Sequence, residues 1–188
     1  IKQKLALFCN VKKEAVIQSI DASTIYDVPV LMQEEGLDTV TLQKLNLEDT
    51  VVPDLDQWNE FLTKLKNPKD TITIGLIGKY VELQDSYKSI LEAFIHAGAA
   101  NEVKVKVVSI HSEYLTVENV SKKLKGLHGV LVAPGFGERG IEGKIKAVQY
   151  AREEGIPFLG ICLGMQMAVI EYTRNVLGIT EANSTEMA

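Results

Sequence analysis

The stretch that decides the fold lies near the end of the chain and reads Pro157-Phe-Leu-Gly-Ile-Cys-Leu-Gly-Met-Gln166. An apolar strand leads into Gly-x-Cys-x-Gly and then into a helical pattern, which is the thiol version of the nucleophile elbow. Gly160 and Gly164 provide the space that a sharp strand-to-helix reversal requires. Cys162 is therefore predicted at the N-terminus of a helix over 163–176, where the helix dipole favours the thiolate. We interpret it as a nucleophile rather than a buried structural cysteine.

After residue 70 the chain alternates apolar runs with helical patterns. The predicted strands are 71–77, 103–110, 129–133 and 158–161, and the predicted helices are 86–99, 117–125, 142–154 and 163–176. Four strand–helix pairs with short connections predict a parallel sheet with helices on both faces and strands buried on both sides. The predicted fold is an α/β, doubly wound parallel sheet of flavodoxin-like topology. Its chemistry is expected at the carboxyl ends of the strands.

The first 70 residues are organised differently. Residues 1–50 form one block, with predicted strands over 5–11 and 15–20, a helix over 23–35 and an extended stretch over 39–47. Residues 51–70 are interpreted as a linker with one amphipathic helix over 55–65, and residues 71–188 as the main domain. The chain starts at Ile1 rather than Met and shows no targeting segment, so we expect it to be part of a longer protein.

Composition excludes several function classes. The chain has 188 residues, 46% hydrophobic and 24% charged, as in ordinary globular proteins. A net charge of −5 argues against a general nucleic-acid binder. No apolar stretch has the length of a membrane span. Two cysteines, Cys9 and Cys162, fit a reducing compartment, and we expect a cytoplasmic protein.

A glycine-rich loop, Pro134-Gly-Phe-Gly-Glu-Arg-Gly140, follows the third predicted strand. It matches the dinucleotide pattern G-x-G-x-x-G, but that pattern normally belongs to the first strand–helix unit. We prefer an oxyanion hole, which needs two N–H donors. One donor would be the amide of Leu163, directly after the nucleophile, and the other the amide of Gly135. A glycine loop without a role is the remaining alternative.

A cysteine nucleophile usually needs a histidine base. His96 lies inside a predicted helix, His128 precedes a buried strand, and His111 ends a strand at the predicted active edge. Surface or packing roles explain each of them, so the sequence indicates a nucleophile without assigning its base.

Together these motifs resemble the class I glutamine amidotransferases. Residues 158–166 resemble the family's nucleophile signature, and residues 132–143 resemble its oxyanion loop. Residues 75–82 and 85–89 resemble the first strand and helix of its glutaminase domain, and residues 182–186 resemble the segment after its nucleophile helix. Residues 5–11 and 23–29 resemble the end of the Rossmann-like synthetase domain that some members carry. The resemblance covers nearly the whole chain.

The resemblance implies a set of glutaminase roles. Cys162 would attack the side-chain amide of glutamine, giving a γ-glutamyl thioester and ammonia. Gly135 and Leu163 would form the oxyanion hole. Gln166 and Glu186 would hold the glutamine, with Glu186 on its α-ammonium group.

For residues 1–50 the resemblance implies ATP-dependent amination of UTP to CTP. Lys4 and Phe8 would contact the pyrimidine nucleotide and Asp21 the adenine side of ATP. No metal ligand falls in the chain, because the resemblance places Mg²⁺ and most ATP contacts outside it. GTP is implied as an allosteric activator near Arg139, and the full-length protein as a homo-tetramer.

Two features qualify these expectations. Pro134 stands where the family often has glycine, but the required N–H belongs to Gly135, so activity is expected to survive. The resemblance also places the histidine base, its glutamate partner and the phosphate-binding loop outside the chain, so the isolated chain is expected to be inactive.

Three alternatives stay open from sequence alone. The first is an amidotransferase with another acceptor, such as xanthylate or chorismate, which the synthetase-like residues 1–50 disfavour. The second is a non-catalytic regulatory or binding module, against which the intact Cys162 and Glu186 argue. The third is an elbow-cysteine stress protein or peptidase, which the pairing of Gln166 with Glu186 disfavours.

Overall fold

A computed structural model describes residues 1–48 and 50–187, without the side chain of Gln84. The chain divides into two compact units, Ile1–Lys66 and Asn67–Ala188. The first unit contains the helices α1 (Lys2–Phe8), α2 (Val28–Glu34), α3 (Leu37–Leu45) and α4 (Asp56–Lys66), with 3-10 turns at Lys13–Ala15 and Ile25–Asp27.

An aromatic cluster connects α4 to the turn before α2. The Nε1–H of Trp58 donates to the carbonyl of Tyr26 over 2.8 Å. The ring of Phe61 lies 5.3 Å from that of Tyr26 in an edge-on arrangement and 5.5 Å from that of Trp58. Since such contacts add to the burial of apolar surface, this cluster packs α4 against the turn at Ile25–Asp27.

Three sequence predictions for the first unit are wrong. The stretch predicted as a strand over 5–11 forms α1 and its C-terminal turn, because Lys, Gln, Leu and Ala are strong helix formers and a short apolar run fits either element. The strand predicted over 15–20 is irregular after the 3-10 turn at Lys13–Ala15. The extended stretch predicted over 39–47 is α3, bounded by left-handed residues at Gly36 and Asn46.

The second unit is a parallel sheet of four strands in the order β2-β1-β3-β4. The strands are β1 (Asp70–Gly78), β2 (Val103–His111), β3 (Gly129–Val132) and β4 (Phe158–Gly160). The helices are α5 (Lys88–Ala100), α6 (Val120–Leu124), α7 (Ile141–Glu153) and α8 (Leu163–Asn175), with 3-10 turns at Gln84–Tyr87 and Ser112–Tyr114. The predicted doubly wound α/β fold is confirmed.

Side chains that alternate along β1 and β3 fill two cores. Ile77 and Val132 lie in the larger core with residues of α6, α7 and α8. Leu76 and Leu131 lie in the smaller core on the other face, with residues of α5 packed against it. Because successive residues of a strand point to opposite faces, this division places helices on both sides of the sheet.

Burial on both faces holds for the central strands only. All four residues of β3 are buried, whereas Leu159 of the edge strand β4 is exposed. None of the helices in the described part of the chain is long and apolar enough to cross a membrane.

Candidate active site

Cys162 occupies a strained turn between β4 and α8. Its backbone angles are φ 53° and ψ −108°, which a non-glycine residue adopts rarely and at a cost. The amides of Met165 and Gln166 donate to its carbonyl over 3.1 and 3.2 Å, so the residue caps α8. Its side chain is exposed. The turn therefore presents a thiol to solvent at the N-terminus of a thirteen-residue helix, as in a nucleophile elbow.

The two glycines beside the elbow are required by close backbone approaches. A Cβ atom at Gly160 would lie 2.5 Å from the carbonyl carbon of Gly164. A Cβ atom at Gly164 would overlap the carbonyl of Val132 in β3. Because both positions contact backbone, which cannot move aside, only glycine allows α8 to start this close to the sheet.

The glycine-rich loop over 134–140 lies next to the elbow. It leaves β3, the strand paired with β4, so Gly135 and Cys162 follow neighbouring strands at the same edge of the sheet. Adjacent strands are about 4.8 Å apart, so the two positions are neighbours at that edge. The amide of Ile161 donates to the carbonyl of Val132 over 3.1 Å and extends this pairing to the elbow.

Two buried lysines lie beneath this loop. Lys144 of α7 is 0% exposed, and its ammonium donates to the carbonyl of Ala133 over 2.9 Å. Lys79, directly after β1, is 5% exposed, and its ammonium donates to the carbonyl of Phe136. Burial, together with the charge of Lys79, lowers the pKa of Lys144 to about 8, while the charge interaction with Cys162 opposes this decrease.

A shallow pocket beside α8 brings the two predicted glutamine-binding residues together. The Nε2 of Gln166 donates to the carboxylate of Glu186 over 3.2 Å. Ser184 connects the same pair, because its hydroxyl donates to Oε1 of Gln166 over 3.0 Å and accepts from the amide of Glu186 over 3.2 Å. The pocket measures about 380 Å³, and its lining includes Met165 and Asn183.

An arginine of α8 connects the pocket loop to the helix after the glycine-rich loop. The Nε of Arg174 donates to the carbonyl of Ala182 over 2.6 Å. Its Nη1 donates to Glu142, in the first turn of α7, over 3.2 Å. Arg174 thus contacts segments next to both the proposed substrate pocket and the proposed oxyanion loop.

None of the three histidines lies at the elbow. His111 ends β2, which is three strands from β4, so about 14 Å of sheet separates it from Cys162. His128 lies at the opposite end of β3, where its Nδ1 accepts from the amide of Thr73 over 3.0 Å. His96 belongs to α5, which packs against β2. The topology therefore assigns none of them as the base.

The predicted nucleotide-binding residues all lie in the first unit. Lys4 and Phe8 are exposed residues of α1, four positions apart and therefore on one face of the helix. Asp21 is exposed in the irregular stretch before α2. Among the described residues, no three His, Cys, Asp or Glu side chains gather into a metal site.

Comparison with known proteins identifies the family of the second unit. The family model for class-I glutamine amidotransferases matches residues 82–187, which is more than half of the chain. The chain belongs to that family. A second model, for the CTP synthase N-terminus, matches residues 1–47. In this amidotransferase, the matched residues include the elbow, the glycine-rich loop and the proposed substrate pocket.

Relatives of the amidotransferase are CTP synthases. The chain is 75% identical over 187 residues to the CTP synthase of Flavobacterium psychrophilum, covering 100% of this chain and 35% of the relative. It is 56% identical to that of Methanocaldococcus jannaschii, covering 99% of this chain and 35% of the relative. The chain therefore spans about a third of the length of the curated relatives it matches.

A solved structure supports the fold. The glutaminase domain of Trypanosoma brucei CTPS, determined with bound acivicin, matches with a TM-score of 0.58 and 42% identity. The match covers 61% of this amidotransferase chain and 45% of that one. The similarity therefore extends to the backbone arrangement.

Sequence reasoning missed four residues around the site: Lys79, Lys144, Arg174 and Ser184. Lys144 gives a detectable signal, because it stands on the apolar stripe of α7 between Ile141 and Val148. Lys79 directly follows a buried strand at the edge of the sheet where active sites form. Arg174 and Ser184 give no such signal, because their roles depend on contacts between segments distant in the sequence.

Proposed function

We propose that the second unit supplies the nucleophile, Cys162, and the substrate pocket with which the full-length protein hydrolyses the side-chain amide of glutamine. The observation that carries this proposal is the strained, exposed elbow at Cys162 beside a pocket formed by Gln166 and Glu186. A strained cysteine at a helix N-terminus, next to a glycine loop and an amino-acid-binding carboxylate, is the arrangement that acyl transfer from an amino-acid amide requires.

In the proposed reaction, the thiolate sulfur attacks the amide carbon and the carbonyl oxygen becomes an oxyanion. The amides of Gly135 and Leu163 donate hydrogen bonds to it. The carbon–nitrogen bond then breaks, the nitrogen takes up a proton, and ammonia leaves a γ-glutamyl thioester on Cys162. Water attacks the thioester, which releases glutamate and the thiol. We assign no base for these proton transfers among the three histidines.

The substrate is oriented by the pocket over 165–186. The carboxylate of Glu186 accepts hydrogen bonds from the α-ammonium group of glutamine, a charge-assisted pairing. In the structure that carboxylate binds Nε2 of Gln166 instead, so the substrate ammonium competes with this amide. Gln166, held by Ser184, is left to bind a polar group of the substrate.

The ammonia is used, we propose, for the ATP-dependent amination of UTP to CTP in a protein that includes the first unit. Support comes from the match of residues 1–47 to the CTP synthase N-terminus and from relatives that are CTP synthases. Lys4 and Phe8 share one exposed face of α1, which suits a phosphate and a base of a pyrimidine nucleotide. Asp21 is proposed on the adenine side of ATP.

We propose that the full-length protein uses Mg²⁺ with ATP, responds to GTP, assembles as a homo-tetramer and acts in the cytoplasm. Among the described residues, no three His, Cys, Asp or Glu side chains are grouped so that they could hold the metal. An acceptor other than UTP is disfavoured by the match of residues 1–47.

Replacing the nucleophile tests the proposal. Cys162→Ala in the full-length protein is expected to abolish CTP formation from glutamine and to leave formation from added ammonia unchanged. Cys9→Ala, which removes the other exposed cysteine, serves as the matched control and is expected to affect neither rate. Glutamine-dependent synthesis by Cys162→Ala would refute the assignment of the nucleophile.

A further inference from the structure

The loop over 134–140 cannot define its own conformation. Gly135, Gly137 and Gly140 have φ values of 154°, 73° and 76°, and glycine is the residue with the largest backbone freedom to lose. Phe136, the only large apolar residue in the loop, is 79% exposed and so does not anchor it in a core. Contacts from outside the loop must therefore hold it in one arrangement.

Lys79 makes the most direct of these contacts. Its ammonium donates to the carbonyl of Phe136, in the middle of the loop. Its methylene stem also lies against the neighbouring residue, because a Cβ atom at Gly135 would be 3.1 Å from Cε of Lys79. The side chain occupies the space that a larger residue at 135 would need, and its ammonium holds the peptide group between Phe136 and Gly137.

Lys79 is itself held on a rigid support. A Cβ atom at the preceding residue, Gly78, would overlap the ring of Tyr87, which is buried. The amide of the following residue, Tyr80, donates to the Tyr87 hydroxyl over 3.3 Å. The backbone on both sides of Lys79 is therefore fixed against one buried side chain.

The same turn also contacts the far end of the loop. The ring of Tyr80 lies 5.5 Å from Nζ of Lys79 and 5.7 Å from Cζ of Arg139. The Nε of Arg139 in turn pairs with Glu113 over 2.7 Å. The loop is thus connected at its middle and at its end to the turn that follows β1.

We propose that Lys79 is a positioning residue of the glutaminase site, which holds the loop over 134–137 so that the amide of Gly135 faces the elbow. The effect of Lys79 on glutamine hydrolysis rests on the proposed function, whereas its effect on the conformation of the loop does not. Lys79 acts through the loop and touches no reacting atom. It works as a fixed cation on a carbonyl, so a charged donor of similar length should substitute for it.

Lys144 provides an internal comparison. Its ammonium binds the carbonyl of Ala133, but the amide of Ala133 already donates to the carbonyl of Ile77 over 2.9 Å. The sheet therefore holds Ala133 without the lysine. Removing a buried charge beside another cation also relieves a desolvation cost. Loss of Lys144 should disturb the loop less than loss of Lys79.

The test combines amide hydrogen exchange with glutaminase kinetics in the full-length protein. The variants are Lys79→Met, Lys79→Arg and Lys144→Met, and Lys106→Met on the exposed surface of β2 is the control. Exchange is followed in peptides that cover 134–140 and, as a check on folding, the strand β1. If Lys79→Met fails the folding check, Lys79→Gln, which keeps a neutral donor, takes its place.

In Lys79→Met we expect exchange in 134–140 to be at least ~10-fold faster, exchange in β1 to be unchanged, and kcat for glutamine to fall about 10- to 100-fold, with KM changed less than threefold. Lys79→Arg should restore most of the slow loop exchange and most of kcat, and Lys106→Met should change neither the loop exchange nor kcat. Unchanged loop exchange in a folded Lys79→Met protein would overturn the inference. That readout needs no turnover, so a protein without glutaminase activity would refute the proposed function alone.

Discussion

The guanidinium of Arg174 holds the loop over 182–186 by its backbone, through a 2.6 Å hydrogen bond from Nε to the carbonyl of Ala182. The same side chain reaches Glu142 on α7. Glu186, the proposed ligand for the substrate ammonium, lies four residues after Ala182 in a segment without regular secondary structure. The position of this carboxylate therefore depends on a contact made by another element.

Replacing Arg174 should weaken glutamine binding more than the chemical step. In Arg174→Met the loop over 182–186 loses its backbone anchor, so we expect KM for glutamine to rise about 10-fold, corresponding to roughly 1.4 kcal/mol, and kcat to fall less than threefold. Steady-state glutamate release by the full-length protein measures both constants. Arg174→Lys retains the charge without the planar donor group, so its KM for glutamine should lie between those of the original protein and Arg174→Met. An unchanged KM would contradict this role for the loop anchor.

Cys162 should react with iodoacetamide faster than Cys9, by at least ~10-fold at pH 7. Both cysteines are exposed, so accessibility does not distinguish them. Only Cys162 caps the N-terminus of a long helix, at a strained strand-to-helix turn, and a helix N-terminus stabilises negative charge that develops next to it. Mass spectrometry of the two labelled peptides over time measures the ratio, with Cys162→Ala and Cys9→Ala identifying the peaks. Equal rates would argue against an activated elbow.

A methyl group at Gly164 should disrupt the elbow. The added Cβ of Gly164→Ala would overlap the Val132 carbonyl, and overpacking against backbone should lower the free energy of unfolding by about 3 kcal/mol. Gly155→Ala is the control, because that position has open space and only its left-handed φ of 65° carries a cost, about 1 kcal/mol. Urea unfolding measures the two changes.

The alkylation rate of Cys162 separates the two glycine variants further. We expect it to fall in Gly164→Ala, where the start of α8 must move, and to be unchanged in Gly155→Ala. Normal reactivity and stability in Gly164→Ala would mean that the close approach between α8 and β3 is not required.

The free energy of unfolding should rise with pH above 8 because of Lys144. Its pKa is lowered to about 8 in the folded protein, whereas a lysine in an unfolded chain has a pKa of about 10.4. Between these values the unfolded chain binds a proton that the folded protein does not, so raising the pH favours folding. Below pH 8 both states are protonated, and this contribution is constant.

Lys144→Met removes this contribution. Urea unfolding of the original protein and the variant from pH 7 to 10.5 should give a difference that grows by about 1.4 kcal/mol per pH unit, up to roughly 3 kcal/mol in total. The subtraction cancels the titration of groups common to both proteins. A difference that is constant over this range would show that Lys144 titrates normally.

The sequence predicted the second unit well because its signals are local. Apolar runs followed by helical patterns defined all four strands and their helices to within a few residues, and Gly160 and Gly164 marked the elbow. In the first unit the same method failed over 5–11, 15–20 and 39–47. Short apolar or β-branched stretches fit either element, and the described residues of the first unit contain no strand.

By itself, the sequence determined the parallel α/β unit, the strand-to-helix turn at Cys162 and the location of the glycine-rich loop beside it. These follow from hydrophobic periodicity and from glycines at fixed spacing, both properties of neighbouring residues. The tertiary structure alone decided that Lys79 and Lys144 lie buried beneath that loop, that Ser184 and Arg174 hold the segment over 182–186, and that His111 is three strands from the elbow. Such contacts join residues that are far apart in the sequence. Strand order and burial bring these residues together, and no local sequence pattern specifies either of them.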